Sequence, residues 1–330
     1  MRRTGRRLAE HALRGKTVLI TGASRGIGLC LAKKLAADGA NIVVAAKTAE
    51  PHPKLPGTIH TAVDECRARG GAALAVVCNV ANAADIDNAV TAATEKFGGI
   101  DILVNNASAI DTSDTSRLAA KKYDLLHAVN GRGAFLCTQR CLPLLQASAR
   151  AGRNPHVLTM SPPLTLDPRW FKAGGTAYAM SKYNMTMATL GVGEEQRGNG
   201  IAFNCLWPQT AVATEAVRLI AGEIGMQASR MPDVMADAAH WILKQDSAAL
   251  SGNAFIDEAV LREKCGKSDA DMDAYRVRGG FSGAAAAIGA TLPLAPDLFV
   301  GDPGEIEKYL AAARSIASTS DKLRSMLKFK

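Results

Sequence analysis

The sequence predicts an α/β fold, a doubly wound parallel sheet of the Rossmann type with helices on both faces. Two observations predict it. Short apolar runs rich in β-branched residues alternate with segments of helical periodicity over about the first 260 residues, as in a parallel sheet covered on both sides by its crossover helices. The first apolar run leads into a glycine-rich turn, 22–28, that opens a helix, which is the context of a phosphate-binding turn.

Each element follows from a local pattern. Strands are predicted where short apolar runs are bounded by polar or glycine residues, at 16–21, 41–46, 73–77, 101–104, 155–160, 201–206 and 254–256. Helices are predicted where apolar residues recur at helical spacing, at 27–38, 58–69, 84–97 and 117–145, with two more between 209 and 250. Because ligands of such sheets bind at the carboxyl ends of the strands, we expect the functional residues at that edge.

Three regions are predicted along the chain. Residues 16–260 form one dinucleotide-binding and catalytic domain, preceded by a basic leader, 1–15, and followed by an extension, 261–330, that packs on or near the domain. Much of the net charge of +8 comes from the leader. The leader is typical of a solvated tail, of an arm for nucleic acid or membrane, or of an organelle transit segment. We expect no nucleic-acid partner.

Composition excludes several classes of protein. Hydrophobic residues make up 48% of the 330 residues, enough for a sizeable core, and no apolar run reaches the roughly 18 residues that a membrane span needs. The seven cysteines form no CxxC pair, which predicts reduced thiols of an intracellular protein instead of a disulfide framework or a metal site. We therefore expect a cytoplasmic protein without a metal.

The glycine-rich turn predicts a dinucleotide site. Without side chains at its glycines, the backbone can approach a pyrophosphate closely, at a helix N-terminus that favours negative charge. The residues predicted to contact the cofactor here are Thr21, Gly22, Ser24, Arg25, Gly26, Ile27 and Gly28.

The end of the second predicted strand bears on which dinucleotide binds. An acidic residue there would accept hydrogen bonds from the free ribose of NAD, but Ala46 and Lys47 occupy this place. Lys47, together with Arg25 from the glycine-rich turn, suits a 2′-phosphate. NADP(H) is therefore favoured over NAD(H).

Tyr178 and Lys182 are the predicted acid–base pair. Four residues apart on a helix, they lie one above the other on the same face. A phenol normally keeps its proton until about pH 10, and a neighbouring ammonium lowers that pKa. The pair can therefore exchange a proton near neutral pH. The same spacing also occurs by chance on helix surfaces, so the reading depends on a cofactor site elsewhere in the chain.

These motifs resemble the short-chain dehydrogenase/reductase family. They occur in the family's order across residues 15–260, and they are the turn 21–28, Asn105-Asn106-Ala107, Asn130, and Tyr178 with Lys182. The resemblance implies that Tyr178 donates or accepts the proton, that Lys182 holds the nicotinamide ribose, and that Asn130 anchors a relay water. It also implies a second set of cofactor-lining residues, namely Asn79, Val80, Asn105, Ala107, Pro208 and Thr214.

Within the family, the chain resembles the hydroxysteroid dehydrogenase-like protein 2 subgroup. The stretches that carry this likeness are 45–59, 161–164, 167–171, 206–208, 255–258 and 293–299. The sterol-carrier domain of longer members has no counterpart in these residues. The subgroup implies an apolar substrate of fatty, terpenoid or steroid type.

Two positions depart from the family pattern. Asn79 stands where the family usually has Asp, although an amide can still donate to an adenine. More important, the usual serine pair after the fifth strand reads Ser161-Pro162, and proline has neither a hydroxyl nor a backbone N–H. Ser161 is the first candidate to replace the missing hydroxyl and Thr165 the second, and a site without such a hydroxyl stays open.

The sequence thus predicts an NADP(H)-dependent oxidoreductase that moves a hydride between nicotinamide and a carbonyl or alcohol carbon of an apolar small molecule. The alternative is a cofactor-binding protein with little or no catalysis, because of Pro162. Four apolar residues either line a substrate pocket or simply pack in the core or a lid, namely Trp170, Phe171, Trp207 and Met226. The family resemblance implies a homodimer or homotetramer, formed through the helices around 123–145 and 177–190.

Overall fold

A computed structural model describes residues 13–53, 55–278 and 294–295. Within them, seven strands form one sheet in the order β3-β2-β1-β4-β5-β6-β7, and every neighbouring pair is parallel. The strand order reverses at β1, which lies between β2 and β4, as a doubly wound fold requires. The predicted fold class is confirmed. Residues 1–12 of the predicted leader and most of the predicted extension lie outside the described residues.

The strands lie within a residue of their predicted positions. They are β1 Thr17–Thr21, β2 Asn41–Ala46, β3 Ala73–Val77, β4 Ile102–Asn105, β5 His156–Thr159, β6 Ala202–Trp207 and β7 Asn253–Ile256. The helices are α1 Gly26–Ala37, α2 Ile59–Arg67, α3 Ala83–Phe97, α4 Ala120–His127, α5 Gly133–Arg150, α6 Arg169–Gly174, α7 Thr176–Glu195, α8 Glu215–Gln227, α9 Asp233–Leu243, α10 Asp257–Ala259 and α11 Asp269–Asp273.

The helix ends follow from local chemistry. Thr58 begins α2 with a capping box, because its hydroxyl accepts from Thr61 N at 3.1 Å while Thr61 Oγ1 accepts from Thr58 N at 2.8 Å. Asn82 caps α3 with its side-chain oxygen, and Gly98 ends that helix with a left-handed φ of 81°. In contrast, no side chain caps the start of α1, so its first N–H groups are left for another kind of partner.

The stretch predicted as one helix over 117–145 is interrupted. A π-helical turn, Ala128–Arg132, separates α4 from α5. The turn widens around Asn130, whose side chain bonds to the backbone of Ala109. Gly131 packs directly on α7, since a Cβ atom at this position would lie 2.6 Å from Asn184 Cγ. Single π-helical turns of this kind are frequent at functional sites.

Two apolar clusters cover the two faces of the sheet. Alternate residues of β1 point to opposite sides, so Ile20 belongs to the cluster under α1, α2 and α9, whereas Leu19 belongs to the cluster under α3 and α5. Leu31 and Phe203 are fully buried members of the two clusters. Each such side chain contributes about 1.5–3 kcal/mol of burial free energy, and the two clusters hold the strand ends in fixed positions.

The described part of the extension packs against the segment between β6 and α9. Leu261, Met272 and Tyr275 are buried there. α8, which lies within this segment, is kinked at Gly222 with φ 58°. Backbone hydrogen bonds tie the extension to both ends of α8, and they run from Met231 N to Tyr275 O at 2.6 Å, Val277 N to Ser229 O at 3.1 Å, Ala211 N to Ala295 O at 2.9 Å and Ala295 N to Ala228 O at 2.7 Å.

Among the described helices, none combines the length and the apolarity that crossing a membrane would need. No three His, Cys, Asp or Glu side chains of the described ranges gather as a metal site would require. All seven cysteines are free thiols, five of them buried and Cys265 exposed. Burial raises the pKa of the Cys66 and Cys141 thiols to about 12, which makes them unreactive core side chains.

Candidate active site

The glycine-rich turn lies so close to the end of β4 that side chains are excluded. A Cβ atom on Gly22 would lie 2.9 Å from Ala107 Cα, and one on Gly28 would lie 2.5 Å from Asn106 Nδ2. Gly22 and Gly26 also have φ angles of 69° and 58°, which favour glycine. Larger residues at 22 or 28 would push the turn away from the sheet.

Asn106 and Thr21 fasten this turn to the strand ends. Asn106 Nδ2 donates to Thr21 O at 2.8 Å and to Gly22 O at 3.1 Å. The Thr21 hydroxyl donates to Val104 O at 3.3 Å and accepts the N–H groups of Asn106 and Ala107 at 3.0 Å each. The buried Thr21 side chain therefore shapes the turn from beneath.

The N-terminus of α1 opens over the turn. Arg25 is its N-cap residue, has an extended backbone and contributes no side-chain cap. Thr214, from the segment after β6, lies above: its Cγ2 atom is 3.4 Å from the position that a Gly26 Cβ would take. Ser24 is buried and Ile27 packs on the core. An uncapped helix N-terminus over a turn without side chains fits the pyrophosphate of a dinucleotide.

The two cations predicted to bind a 2′-phosphate are placed differently. Lys47 follows β2 and is exposed. Arg25 is drawn to the loop 48–57, because its Nε donates to Pro56 O at 2.8 Å and its Nη2 to Gly57 O at 3.1 Å. Ala46 is buried and brings no carboxylate. This corner of the site therefore presents positive charge without an acid from β2.

Asn79 and Val80 follow β3. Asn79 Oδ1 accepts from Ala81 N at 3.3 Å, and Asn79 N donates to Asp85 Oδ2 at 2.9 Å. Since its oxygen is engaged, the Nδ2 group of Asn79 is the part that can face an adenine. Val80 is buried, and a Cβ atom on Gly133 would lie 3.0 Å from its Cγ2 atom, so Val80 is held by α5.

Tyr178 and Lys182 are buried on α7, one turn apart. Lys182 Nζ donates to Met160 O at 2.8 Å and lies 5.1 Å from the centroid of the Trp207 ring. Tyr178 packs in the same cluster as Trp207 and Leu126. Met160 follows β5 and Trp207 ends β6, so the pair lies at the same edge of the sheet as the glycine-rich turn. A carbonyl and an aromatic face together hold the ammonium in one place.

Asn130 joins the π-helical turn to α7. Its Oδ1 accepts from Ala109 N at 2.8 Å, and its Nδ2 donates to Ala109 O at 3.0 Å and to Ser181 Oγ at 2.8 Å. Ser181 in turn donates to Tyr178 O at 2.8 Å and directly precedes Lys182. Asn130 therefore fixes the part of α7 that carries the pair. Asn130 itself is fully buried.

The residues after β5 give the largest departure from the expected site. Ser161 is 0% exposed, and its hydroxyl makes no hydrogen bond of normal geometry with the described residues. It lies beside the Cys205 thiol, whose pKa is raised by burial and lowered in part by this neighbour. Pro162 is engaged through its carbonyl, which accepts from Thr186 Oγ1 at 2.7 Å. The Ser161 hydroxyl thus lies in the packed interface between β6 and α7.

The loop after Pro162 leads into α6, whose aromatic side chains pack near Tyr178. Thr165 Oγ1 accepts from Asp167 N at 3.2 Å, so this hydroxyl already has a partner in its own loop. The rings of Phe171 and Tyr183 meet edge to face, with centroids 5.9 Å apart. Trp170 and Phe171 pack against the cluster that contains Tyr178. Packing in the core and lining a substrate pocket are therefore both compatible with the positions of these aromatic residues.

Asn105 and Pro208 stand at the ends of central strands. Asn105, the last residue of β4, is buried and donates to Thr138 Oγ1 at 3.0 Å, while its Oδ1 has no hydrogen-bond partner among the described residues. Pro208 directly follows β6 and begins the segment that reaches Thr214. The structure thus places the predicted cofactor residues along one edge, from β3 through β1 to β6.

The comparison with known families decides what this arrangement is. The family model for short chain dehydrogenases matches residues 16–222, which is well over half of the chain. The chain belongs to the short-chain dehydrogenase family. This short-chain dehydrogenase is 48% identical over 302 residues to hydroxysteroid dehydrogenase-like protein 2 of Danio rerio, with 91% of this chain and 68% of that protein covered. The predicted likeness to that subgroup is confirmed.

Solved structures agree. A short chain dehydrogenase from Mycobacterium thermoresistibile shares 44% identity and a TM-score of 0.76, over 88% of this chain and 98% of that one. A more distant neighbour is the NADH-dependent reductase A1-R′ complexed with NAD, at 25% identity and a TM-score of 0.61, over 75% and 97%. The short-chain dehydrogenase spans 64–68% of the length of three curated relatives. It is a member of an oxidoreductase family that binds nicotinamide cofactors.

Three residues of the site had no assigned role from sequence. Asn106 was part of a motif, but its grip on the glycine-rich turn depends on a contact with residues about 85 positions earlier in the chain. Ser181 carries no signal, because its burial cannot be read from the chain. Asp257 stood in a stretch that carried the subgroup resemblance, and the structure places it against Gln209 N at 2.8 Å.

Proposed function

We propose that this short-chain dehydrogenase transfers a hydride between NADP(H) and a carbonyl or alcohol carbon of an apolar small molecule. One observation carries the proposal. Tyr178 and Lys182 lie buried on α7 at the strand edge where the uncapped N-terminus of α1 opens. A proton-transfer pair and a pyrophosphate cradle at one edge are what hydride transfer to a carbonyl needs.

The residues divide the chemistry among them. The bound nicotinamide supplies or accepts the hydride. Tyr178 gives its phenolic proton to the substrate oxygen during reduction and takes it back during oxidation. Lys182, held by Met160 O, stabilises the phenolate by its charge and reaches toward the ribose hydroxyls. Asn130 holds α7 in register with both through Ser181, and the family resemblance implies that it also anchors a relay water.

The cofactor would lie along the strand ends and close against the glycine-rich turn. The residues proposed to hold it are Thr21, Gly22, Ser24, Arg25, Gly26, Ile27, Gly28, Lys47, Asn79, Val80, Asn105, Ala107, Pro208 and Thr214. Lys47 and the absence of an acid at Ala46 favour NADP(H). The distant NADH-dependent neighbour makes the comparison of the two dinucleotides a necessary measurement.

The proposed substrate is apolar. Trp207 lies in the same apolar cluster as Tyr178, and Trp170 and Phe171 pack against that cluster. Leu164 and Leu166, in the loop after β5, are exposed large hydrophobic side chains. The name of the Danio rerio relative points to hydroxysteroids and similar molecules. Fatty, terpenoid and steroid carbonyls are therefore the panel to test.

The test is turnover of this panel with NADPH and NADH, followed by absorbance of the reduced nicotinamide. We expect NADPH-dependent reduction of at least one carbonyl class, and Tyr178→Phe should reduce its rate by about 10²-fold or more. Tyr123→Phe is the matched control, because it removes a tyrosine hydroxyl from α4 and keeps the apolar ring, and it should retain the wild-type rate. Equal rates for wild type and Tyr178→Phe would refute the assigned role.

A second function is favoured by one observation. Since Pro162 lacks a hydroxyl and Ser161 is 0% exposed, neither residue of the position that usually holds the serine pair offers a hydroxyl to the substrate oxygen. Loss of one such donor costs about 10²–10³ in turnover. A cofactor-binding protein with little or no catalysis is therefore the alternative. Tight NADPH binding without turnover across the whole panel would favour it.

Assembly and location complete the proposal. Exposed large apolar residues lie on α4, α5 and α7, and they are Tyr123, Leu125, Phe135, Met180 and Met187. We propose that these helices pair two-fold in a homodimer or homotetramer. A cytoplasmic location and the absence of a nucleic-acid partner stay predictions from the sequence.

A further inference from the structure

Asp257 directly follows β7 and is fully buried. The register of β6 and β7 pairs Trp207 with Ile256, so the two chains leave the sheet side by side. Asp257 Oδ1 accepts the N–H of Gln209 at 2.8 Å and that of Glu258 at 2.6 Å. Its Oδ2 atom makes no hydrogen bond within the described residues. A carboxylate is thus buried at the strand edge that carries the proposed cofactor site.

Such a carboxylate is costly for the fold. Burial raises the pKa of Asp257 to about 7, against the opposing effects of the Gln209 and Glu258 N–H groups and of Arg230. The charged groups around it are Arg230 and Glu258, and Glu258 is paired with both Arg230 and Arg262. A neutral side chain would fill the same space with a smaller desolvation penalty. Perturbed buried groups of this kind cluster at functional sites.

Arg230 links the surroundings of Asp257 to the segment that follows β6. Its Nη1 donates to Glu258 Oε2 at 2.5 Å. Its backbone N donates to Ala211 O at 3.0 Å, and its backbone O accepts from Ala213 N at 2.8 Å. The same buried residue therefore holds the ion pair beside Asp257 and the chain at 211–213.

The segment 208–214 is consequently held along its whole length. Its start is held at Gln209 by Asp257, its middle by the backbone of Arg230, and its end at Thr214 by packing over Gly26. Pro208 and Thr214 are two of the proposed cofactor contacts.

We propose that Asp257 is a positioning residue of the cofactor site, which fixes the Gln209 peptide and through it the segment 208–214 over the glycine-rich turn. The inference rests on the proposed function, because it assigns this segment to the cofactor. Hydrogen bonds to an ionised acceptor are about twice as strong as those to a neutral one. The segment is therefore held more firmly when Asp257 is ionised, and cofactor affinity should rise between about pH 6 and pH 8.

The experiment compares full-length wild type with Asp257→Asn, which keeps the shape and removes the charge. Glu263→Gln is the matched control, because Glu263 is an exposed carboxylate a few residues later. Dissociation constants for NADPH and for NADH are measured by fluorescence titration at about pH 6, about pH 7 and about pH 8.5, which bracket the expected titration of Asp257. NADH is included because it lacks the 2′-phosphate, which titrates in the same range. Hydrogen–deuterium exchange over 208–214 is followed without cofactor.

At the highest pH, Asp257→Asn should bind both dinucleotides about three- to tenfold more weakly and exchange faster over 208–214, since two charge-assisted bonds are weakened. At the lowest pH these differences should shrink, because wild-type Asp257 is then protonated. Glu263→Gln should follow wild type throughout. Equal affinity and equal exchange of Asp257→Asn and wild type at high pH would overturn the inference.

Two further outcomes are distinguishable. If wild type binds neither dinucleotide, the proposed function fails, and exchange over 208–214 still decides whether Asp257 holds the segment. If Asp257→Asn does not fold, the wild-type pH series decides. Affinity for NADH that rises with pH supports the inference, and affinity that is flat with pH overturns it.

Discussion

The Nδ2 atom of Asn106 lies 2.5 Å from the point that a Cβ atom on Gly28 would occupy. The same nitrogen donates to the carbonyls of Thr21 and Gly22. The glycine at 28 is therefore required by the protein itself, because α1 can approach the end of β4 only where no side chain intervenes. The close approach of the backbone to a cofactor would depend on this contact between α1 and the end of β4.

Gly28→Ala should lower the free energy of unfolding by about 1–3 kcal/mol, as overpacking does, and should weaken NADPH binding at least about tenfold, because the turn is displaced. Gly191→Ala on α7 is the control. No atom lies within 4 Å of a Cβ there, and alanine in a helix should be neutral or stabilising by up to about 1 kcal/mol. Urea unfolding and cofactor titration measure both. An unaffected Gly28→Ala would contradict the packing argument.

Lys47→Ala should reduce the preference for NADP(H). We expect wild type to bind NADPH roughly 10- to 1000-fold more tightly than NADH, from two phosphate contacts of about 1–2 kcal/mol each. Loss of the exposed Lys47 ammonium should remove about tenfold of that ratio and leave NADH binding unchanged. Lys96→Ala, an exposed lysine on α3, should preserve the ratio. A wild type that binds NADH equally well would end the NADP(H) proposal.

Ser161→Ala should change turnover less than about threefold, because the Ser161 hydroxyl is fully buried beside Cys205. Tyr178→Phe should be severe under the same assay. A loss near 10²-fold for Ser161→Ala would mean that the hydroxyl rotates into the site and replaces the missing serine. The comparison of kcat with KM for both variants separates lost chemistry from lost binding.

Asp257 should make the protein less stable as pH rises. Its pKa is raised from 3.8 to about 7 in the folded chain, so between about pH 4 and pH 7 the folded state keeps a proton that the unfolded state has lost. The free energy of unfolding should fall across this window, by up to about 4 kcal/mol. Urea unfolding at the two ends of the window measures it.

Asp257→Asn should lack this pH slope, and Glu263→Gln should retain it. Comparing the two proteins also cancels the contribution of His156, which is the same in both. Burial lowers the pKa of His156 to about 4, so its contribution to the free energy of unfolding has the opposite pH slope. Parallel pH profiles for wild type and Asp257→Asn would show that the carboxylate titrates at its ordinary value.

Phe135→Glu should convert the assembly to a smaller one. Phe135 is 42% exposed on α5, on the helices proposed to pair, and a charge there should not be accommodated in an apolar interface. Leu219→Glu is the control, since Leu219 is 80% exposed on α8, which is not one of the helices proposed to pair. Light scattering at micromolar concentration gives the mass. A monomeric wild type would refute the assembly proposal.

The sheet could be predicted from the sequence because its signals are local. Each strand is an apolar run bounded by turn residues, and the glycine pattern between β1 and α1 by itself indicates a tight turn. The break between α4 and α5 could not be predicted in this way. It depends on Asn130, whose partners Ala109 and Ser181 lie 21 and 51 residues away.

In the site, too, features with local signals were predictable and features set by long-range contacts were not. Tyr178 and Lys182 were predicted by their spacing, and the structure places them together on α7. The orientation of Ser161 was not predictable, because it is set by the packing of α7 on β6 around Cys205. The burial of Asp257 likewise follows from the pairing of β6 with β7 and not from its neighbours in the chain.

The extension fastens α8 at both of its ends, through Ala211 and Ala228 on one contact and Ser229 and Met231 on the other. A helix that is held at both ends cannot rotate as a rigid body about a single hinge. It has to bow, and Gly222, with its φ of 58°, is where we expect the bend to concentrate. The motion of α8 is therefore limited by contacts with residues beyond 260, which lie outside the part that the family model matches. Shortening the chain so that Ala295 is removed should therefore loosen both ends of α8.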